Sequence, residues 1–207
     1  MEVLEICPTQ IYLFQASDEV HEAALKTAEG WDWNMTFQRD KQSHYGKTSH
    51  DYHWEKIPEM RPVVEWMEDC ATQVGEEQDC FCDGFEVAAC WGNRSESRQW
   101  HHRHNHPFSF LSSIYYVKGV TGQTWFSRSN PYYDSTLRLV EGESSDIIAK
   151  ITPMPGTLVV FPSKLQHSVS AVSDEERERL TISTNYMPIG NQIGVPGSIG
   201  WSNPKFS

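Results

Sequence analysis

The sequence predicts a mainly β domain with flanking helices (α+β), its strands closing into a jelly-roll or cupin-like barrel. Three observations carry that expectation. Helix-periodic segments fall within residues 1–83 and strand-like runs within 84–189, without the alternation a parallel α/β sheet needs. The later runs are short, rich in β-branched and aromatic residues, and punctuated by Gly, Pro, Asn and Asp. At 207 residues a single domain can enclose both a core and a ligand cavity.

The elements follow in order. Residues 7–14 read as an opening strand with Pro8 at its start. Ser17 and Asp18 offer an N-cap to a helix through Val20, Ala23, Ala24 and Leu25, which Gly30 ends. Residues 31–56 are polar, aromatic and irregular, the character of a functional loop. Trp31, Trp33, His44 and Tyr45 are the candidates there for a lid over a substrate. Pro58 can open a second helix, with Pro62 in its first turn or displacing its start, and with Val63, Val64, Trp66, Met67 and Ala71 as the apolar stripe. Strands are expected at 85–91, 110–117, 124–127, 157–161, 167–172 and 179–186. Residues 131–148 form an insertion between strands, and the Gly-, Pro-, Asn- and Ser-rich 190–207 tail wraps the surface, where it can serve a homodimer.

Composition narrows the function. Eight tryptophans and 12% aromatic residues belong to a packed globular chain. A net charge of −11, with no basic, aromatic-interleaved stripe, disfavours nucleic acid as a partner. No apolar run approaches membrane-spanning length, and the acidic start, Met1 to Ile6, lacks the charge pattern of a secretory signal. Five irregularly spaced cysteines read as reduced thiols, so a cytoplasmic location is expected (the host cytoplasm if the chain is phage-encoded).

The chemistry concentrates in two places. Four histidines crowd the 100–106 segment, and His104 and His106, two apart on an extended chain, can point the same way toward one metal ion. His167, beyond the apolar 156–163 run, can complete the ligand face from a partner strand. Three imidazoles suit iron, zinc, copper or nickel and leave half of an octahedron open. His102 shares strand parity with that pair and is expected to support it or to contact substrate. In Arg179-Leu180-Thr181-Ile182, Arg179 and Thr181 share the face opposite the two aliphatic residues. A buried guanidinium requires an anion, and a fork beside a hydroxyl makes a carboxylate clamp. Tyr116 lies on the face of Ser112 and Ile114, in phase with the histidines if no bulge intervenes, and can add a further hydrogen bond.

Assembled, these blocks resemble the iron(II)- and 2-oxoglutarate-dependent oxygenases, and within them a prolyl-hydroxylase-like branch found in marine bacteria and phages. The resemblance runs over 8–185. It rests on Pro8-Thr9-Gln10-Ile11-Tyr12, Trp91-Gly92-Asn93, His104-Asn105-His106-Pro107, Leu111 to Val117, Gly156 to Ser163, His167-Ser168-Val169 and Glu178 to Ser183. It implies a double-stranded β-helix fold, Fe(II) as metal, and 2-oxoglutarate and O2 as co-substrates. It further implies that His104 and His167 are metal ligands, with His106 where the wider superfamily has a carboxylate. Arg179, helped by Thr181 and Tyr116, would bind the distal carboxylate of 2-oxoglutarate. The implied activity is hydroxylation of a C–H bond in an amino acid, a peptidyl residue such as proline, or a small metabolite. Two alternatives remain open: a three-histidine cupin-type dioxygenase not using 2-oxoglutarate, and a non-catalytic cupin-like metal-binding module.

Overall fold

The computed structural model describes residues 9–33, 46–49, 53–80, 82–127, 147–175 and 178–190. Two antiparallel sheets face each other. The major sheet has six strands in the order β1 (Tyr12–Gln15), β8 (Thr157–Pro162), β5 (Leu111–Lys118), β10 (Arg179–Ile189), β3 (Gly84–Ser95) and β2 (Lys47–Thr48). The minor sheet has four, in the order β4 (His101–His104), β9 (Gln166–Val169), β6 (Thr124–Ser127) and β7 (Ile147–Ile151). This is the jelly-roll architecture the strand pattern predicts, with two helices outside it. His44, Tyr45, Arg177 and the 190–207 tail beyond Gly190 lie outside the described residues.

Helix α1 (Asp18–Gly30) starts where Ser17 accepts a hydrogen bond from the Val20 amide, and buries Val20, Ala24 and Ala28 at four-residue spacing. Helix α2 (Arg61–Glu77) accommodates Pro62 in its first turn and buries Val63, Val64, Met67, Cys70, Ala71 and Val74. Both helices cover the outer face of the major sheet, against Tyr115, Val117, Leu158, Val160, Leu180, Ile182 and Tyr186.

Period-two alternation sends the neighbours of those residues into the space between the sheets. Ile114, Tyr116, Val159 and Phe161 meet Phe126 and Leu165 there. The strand interval expected at 167–172 is shorter, Gln166–Val169, and the 131–148 insertion ends in an additional strand, β7, which pairs with β6. One glycine is required by close approach. At Gly92 a Cβ would collide with the indole of Trp54, which lies against β3 from the helix side.

Candidate metal centre

The site lies between the sheets. On the minor sheet, His104 pairs with His167, and His167 with Phe126, so these three share one inward-facing rung. The next inward rung along β9 is His101, Val169 and Thr124. Two residues lie between His101 and His104 on β4, but only one lies between Val169 and His167 on β9. That extra residue is a β-bulge, and it turns both His101 and His104 inward. Simple alternation fails at this point. His102 and Arg103 are exposed, and the His102 ring stands 5.9 Å from that of His104.

His104 ends β4, and His106 sits in the turn beyond it, anchored by its amide donating to the Ser163 carbonyl at 2.8 Å. The ligand atoms of His104, His106 and His167 lie within 4.8 Å of one another. The rings of His104 and His167 are 4.3 Å apart, and that of His106 is 5.2 Å from each. His104 Nδ1 lies 2.9 Å from the His102 carbonyl and His167 Nδ1 3.0 Å from the Leu165 carbonyl. A carbonyl can only accept, so each Nδ1 carries the proton and each Nε2 keeps its lone pair. Burial lowers all three basicities. His106 is brought to about 4, with His104 beside it contributing, and His167 to about 3. His104 shifts the same way. Neutral imidazoles with oriented lone pairs are the form that binds a transition metal, so this donor set fits a divalent cation such as iron(II). Phe161 packs edge-on against His167 at 4.8 Å, and Trp91 flanks His106 at 5.7 Å.

Arg179, 2% exposed, opens β10 on the interior face, and Thr181 follows on the same face. The guanidinium carbon lies 5.4 Å from the centre of the Tyr116 ring. Gly122, at φ +73°, makes room: a Cβ there would press on the Arg179 stem at 3.0 Å. Tyr116 donates its hydroxyl hydrogen to Thr124 Oγ1 at 2.7 Å, tying the sheets together at the second rung. Burial raises the Tyr116 phenol, and Arg179 moderates that rise. Farther along β10 the interior face is polar. Asn93 donates to Ser183 at 2.9 Å and Ser112 to Asn185 at 2.8 Å. Asn93, the head of a glycosylation sequon, is thus an inward side chain beside Thr181.

The lid expectation needs a correction at Trp33. Its ring is buried on the helix side of the major sheet, 6.1 Å from Trp54, with its indole N–H donating to the Ala28 carbonyl. It is core, because α1 and the Trp54 turn cover it. Trp31 packs on the same side, 4.9 Å from Trp54. Conversely, Trp91 and Thr124 face the site without having been singled out from the sequence, and His101 had no place assigned. Nothing in a single polar run signals a bulge. The alternation of β3 and β6 does carry the signal for Trp91 and Thr124.

Residues 89–185 match the model of a family described as "Putative 2OG-Fe(II) oxygenase". The matched stretch holds His104, His106, His167 and Arg179, so over the residues of the candidate site the chain is similar to that family. No curated protein sequence matches it. Its fold is shared with several solved enzymes at low identity. A prolyl-4-hydroxylase from Pseudomonas putida is 14% identical, with a TM-score of 0.55 over 87% of this chain and 93% of that one. The non-heme α-ketoglutarate-dependent carbocyclase SnoK, from nogalamycin biosynthesis, is 13% identical with a TM-score of 0.63, covering 87% and 80%. HygX from Streptomyces hygroscopicus, solved with nickel, 2-oxoglutarate and hygromycin B, is 12% identical with a TM-score of 0.60, covering 90% and 86%.

Proposed function

We propose that the protein is a hydroxylase in which His104, His106 and His167 hold iron(II) and Arg179, with Tyr116 and Thr181, holds the far carboxylate of 2-oxoglutarate. Its target is a C–H bond of an amino acid, a peptidyl residue such as proline, or a small metabolite. One observation carries the reading: three neutral imidazoles converge between the sheets, and a buried guanidinium lies against Tyr116, which bonds Thr124 on the next rung. When bound, the iron supplies the redox chemistry: 2-oxoglutarate loses CO2 and takes one atom of O2 to become succinate, and the other atom enters the C–H bond.

The chain's own residues set the conditions for that reaction. Three imidazoles cover one face of the cation and leave the opposite positions for co-substrates. The Leu165 and His102 carbonyls fix the aim of two of those rings. The Arg179 fork recognises a carboxylate in two places at once. Phe126 and Phe161 wall the centre against water. The Asn93–Ser183 and Ser112–Asn185 pairs give the open side of the cavity a polar lining suited to orienting a substrate. An acidic chain suits a small molecule or peptide better than nucleic acid. The prolyl hydroxylase among the fold relatives makes a proline-containing peptide the first substrate to try.

Anaerobic titration tests this directly. Ferrous iron and 2-oxoglutarate together should give a weak visible charge-transfer band that neither gives alone, and Arg179→Ala should erase it. A band independent of 2-oxoglutarate favours a three-histidine dioxygenase of another kind, which the all-imidazole cluster among the described residues also allows. No band at all favours the non-catalytic metal-binding module.

A further inference from the structure

Resting on that reading, we propose that His101 is a direct binding residue for the far carboxylate of the co-substrate, its Nε2 forming with Arg179 a two-armed clamp. The bulge in β4 turns His101 into the interior one rung beyond the metal ligands. Its Nε2 is sealed from solvent and has no hydrogen-bond partner among the described residues. A buried polar nitrogen left in that condition is costly, and a bound acceptor relieves it. The acceptor's place is defined on two sides. Arg179 lies 5.4 Å from the centre of the Tyr116 ring, and Tyr116 reaches Thr124 on the rung of His101, so the guanidinium and His101 flank the same interior space. Thr124, on the same rung as His101, accepts from Tyr116, which leaves its own hydroxyl hydrogen to point at an anion there.

The spacing suits a dicarboxylate. Consecutive inward rungs of a strand are roughly 6.6 Å apart, the scale of a five-carbon chain with its keto acid end at one rung and its second carboxylate at the next. His104 and His167 define the first rung, and His101 and Thr124 the second. A metal role for His101 is the less economical reading, because its nitrogens lie outside the three-histidine cluster.

Nickel-loaded full-length protein, which binds without turnover, provides the test by isothermal titration calorimetry. The probes are 2-oxoglutarate and 2-oxobutyrate, which shares the keto acid end but lacks the second carboxylate. His101→Leu should weaken 2-oxoglutarate by about 10- to 100-fold. It should leave 2-oxobutyrate and nickel affinity within about twofold, since neither involves the lost hydrogen bond. His101→Gln, which keeps a donor, should recover most of the loss. Wild-type affinity for 2-oxoglutarate in His101→Leu overturns the clamp. Equal weakening of both keto acids, or loss of nickel, assigns His101 to the metal side and also overturns it. If the wild-type protein takes nickel but ignores 2-oxoglutarate, the co-substrate reading itself fails, and the clamp falls with it.

Discussion

His101 and His104 face the same interior although two residues lie between them, because β4 carries one residue more than the β9 stretch from Val169 to His167. The exposed pair, His102 and Arg103, absorbs the surplus. Metal affinity should divide the histidines accordingly. His104→Ala should weaken nickel binding by about 100-fold or more, in line with loss of a ligand. His102→Ala should change it by less than about threefold, since the exposed His102 ring lies outside the ligand cluster and its carbonyl, which holds His104, survives the substitution. Competition with a coloured chelator reads both, and a large loss in His102→Ala would show that the bulge is misplaced.

The contrast between β10 and β4 shows where sequence suffices. In β10, leucine and isoleucine alternate with Arg179, Thr181 and Ser183, and burying the aliphatic pair against the helices leaves those polar groups only the interior. The guanidinium's position was therefore legible. In His101-His102-Arg103-His104 every residue is polar, so no apolar pattern pins the register and the extra residue leaves no trace. His102 drew attention through parity, and parity was what the bulge altered. Trp33 misled for another reason. An aromatic residue in an irregular polar stretch looks like a lid, and only its tertiary neighbours Trp54 and α1 reveal it as core. The Ile147, Ala149, Ile151 alternation of β7 was too weak to stand out beside the insertion it follows.

Acid should unfold the metal-free protein through the buried imidazoles. His101, His106 and His167 are brought by burial from 6.5 to about 3, 4 and 3, so the folded state stays neutral where the unfolded chain takes up protons. Stability is therefore complete above 6.5 and lost as pH falls toward 3, at about 1.4 kcal/mol per pH unit for each ring that remains neutral. Denaturation midpoints measured between pH 7.5 and 4.5 should fall steeply. In His101→Leu the slope should be shallower by roughly one proton. A slope identical to that of the wild type would mean that His101 is solvated.

His106 stands where the pattern the sequence resembles has a carboxylate, and among the described residues the ligand cluster is all imidazole. Restoring a carboxylate with His106→Asp should tighten ferrous binding by roughly tenfold, since opposite charges in a partly buried site attract strongly. The shorter side chain must still reach, so the result also tests whether the turn anchored by Ser163 can adjust. Anaerobic iron titration decides. Weaker binding in the variant would show that the site is shaped for imidazole.

Gly92 sits between Trp91, which flanks His106, and Asn93, which faces Thr181, while the Trp54 indole presses on its Cα from the helix side. A methyl group there must displace either the indole or β3 itself. The ring is fully buried and clamped between Trp31 and Trp33, so it has little room to retreat. Gly92→Ala should therefore destabilise the fold by about 1–3 kcal/mol, the usual penalty for overpacking. If the strain is local to the ring, Trp54→Phe should be less damaging in the Gly92→Ala background than in the wild type. Urea denaturation of the four proteins in the cycle gives that coupling. Additive losses would mean that β3 yields instead. The metal site would then register the shift as a change in nickel affinity, because Trp91 moves with the strand.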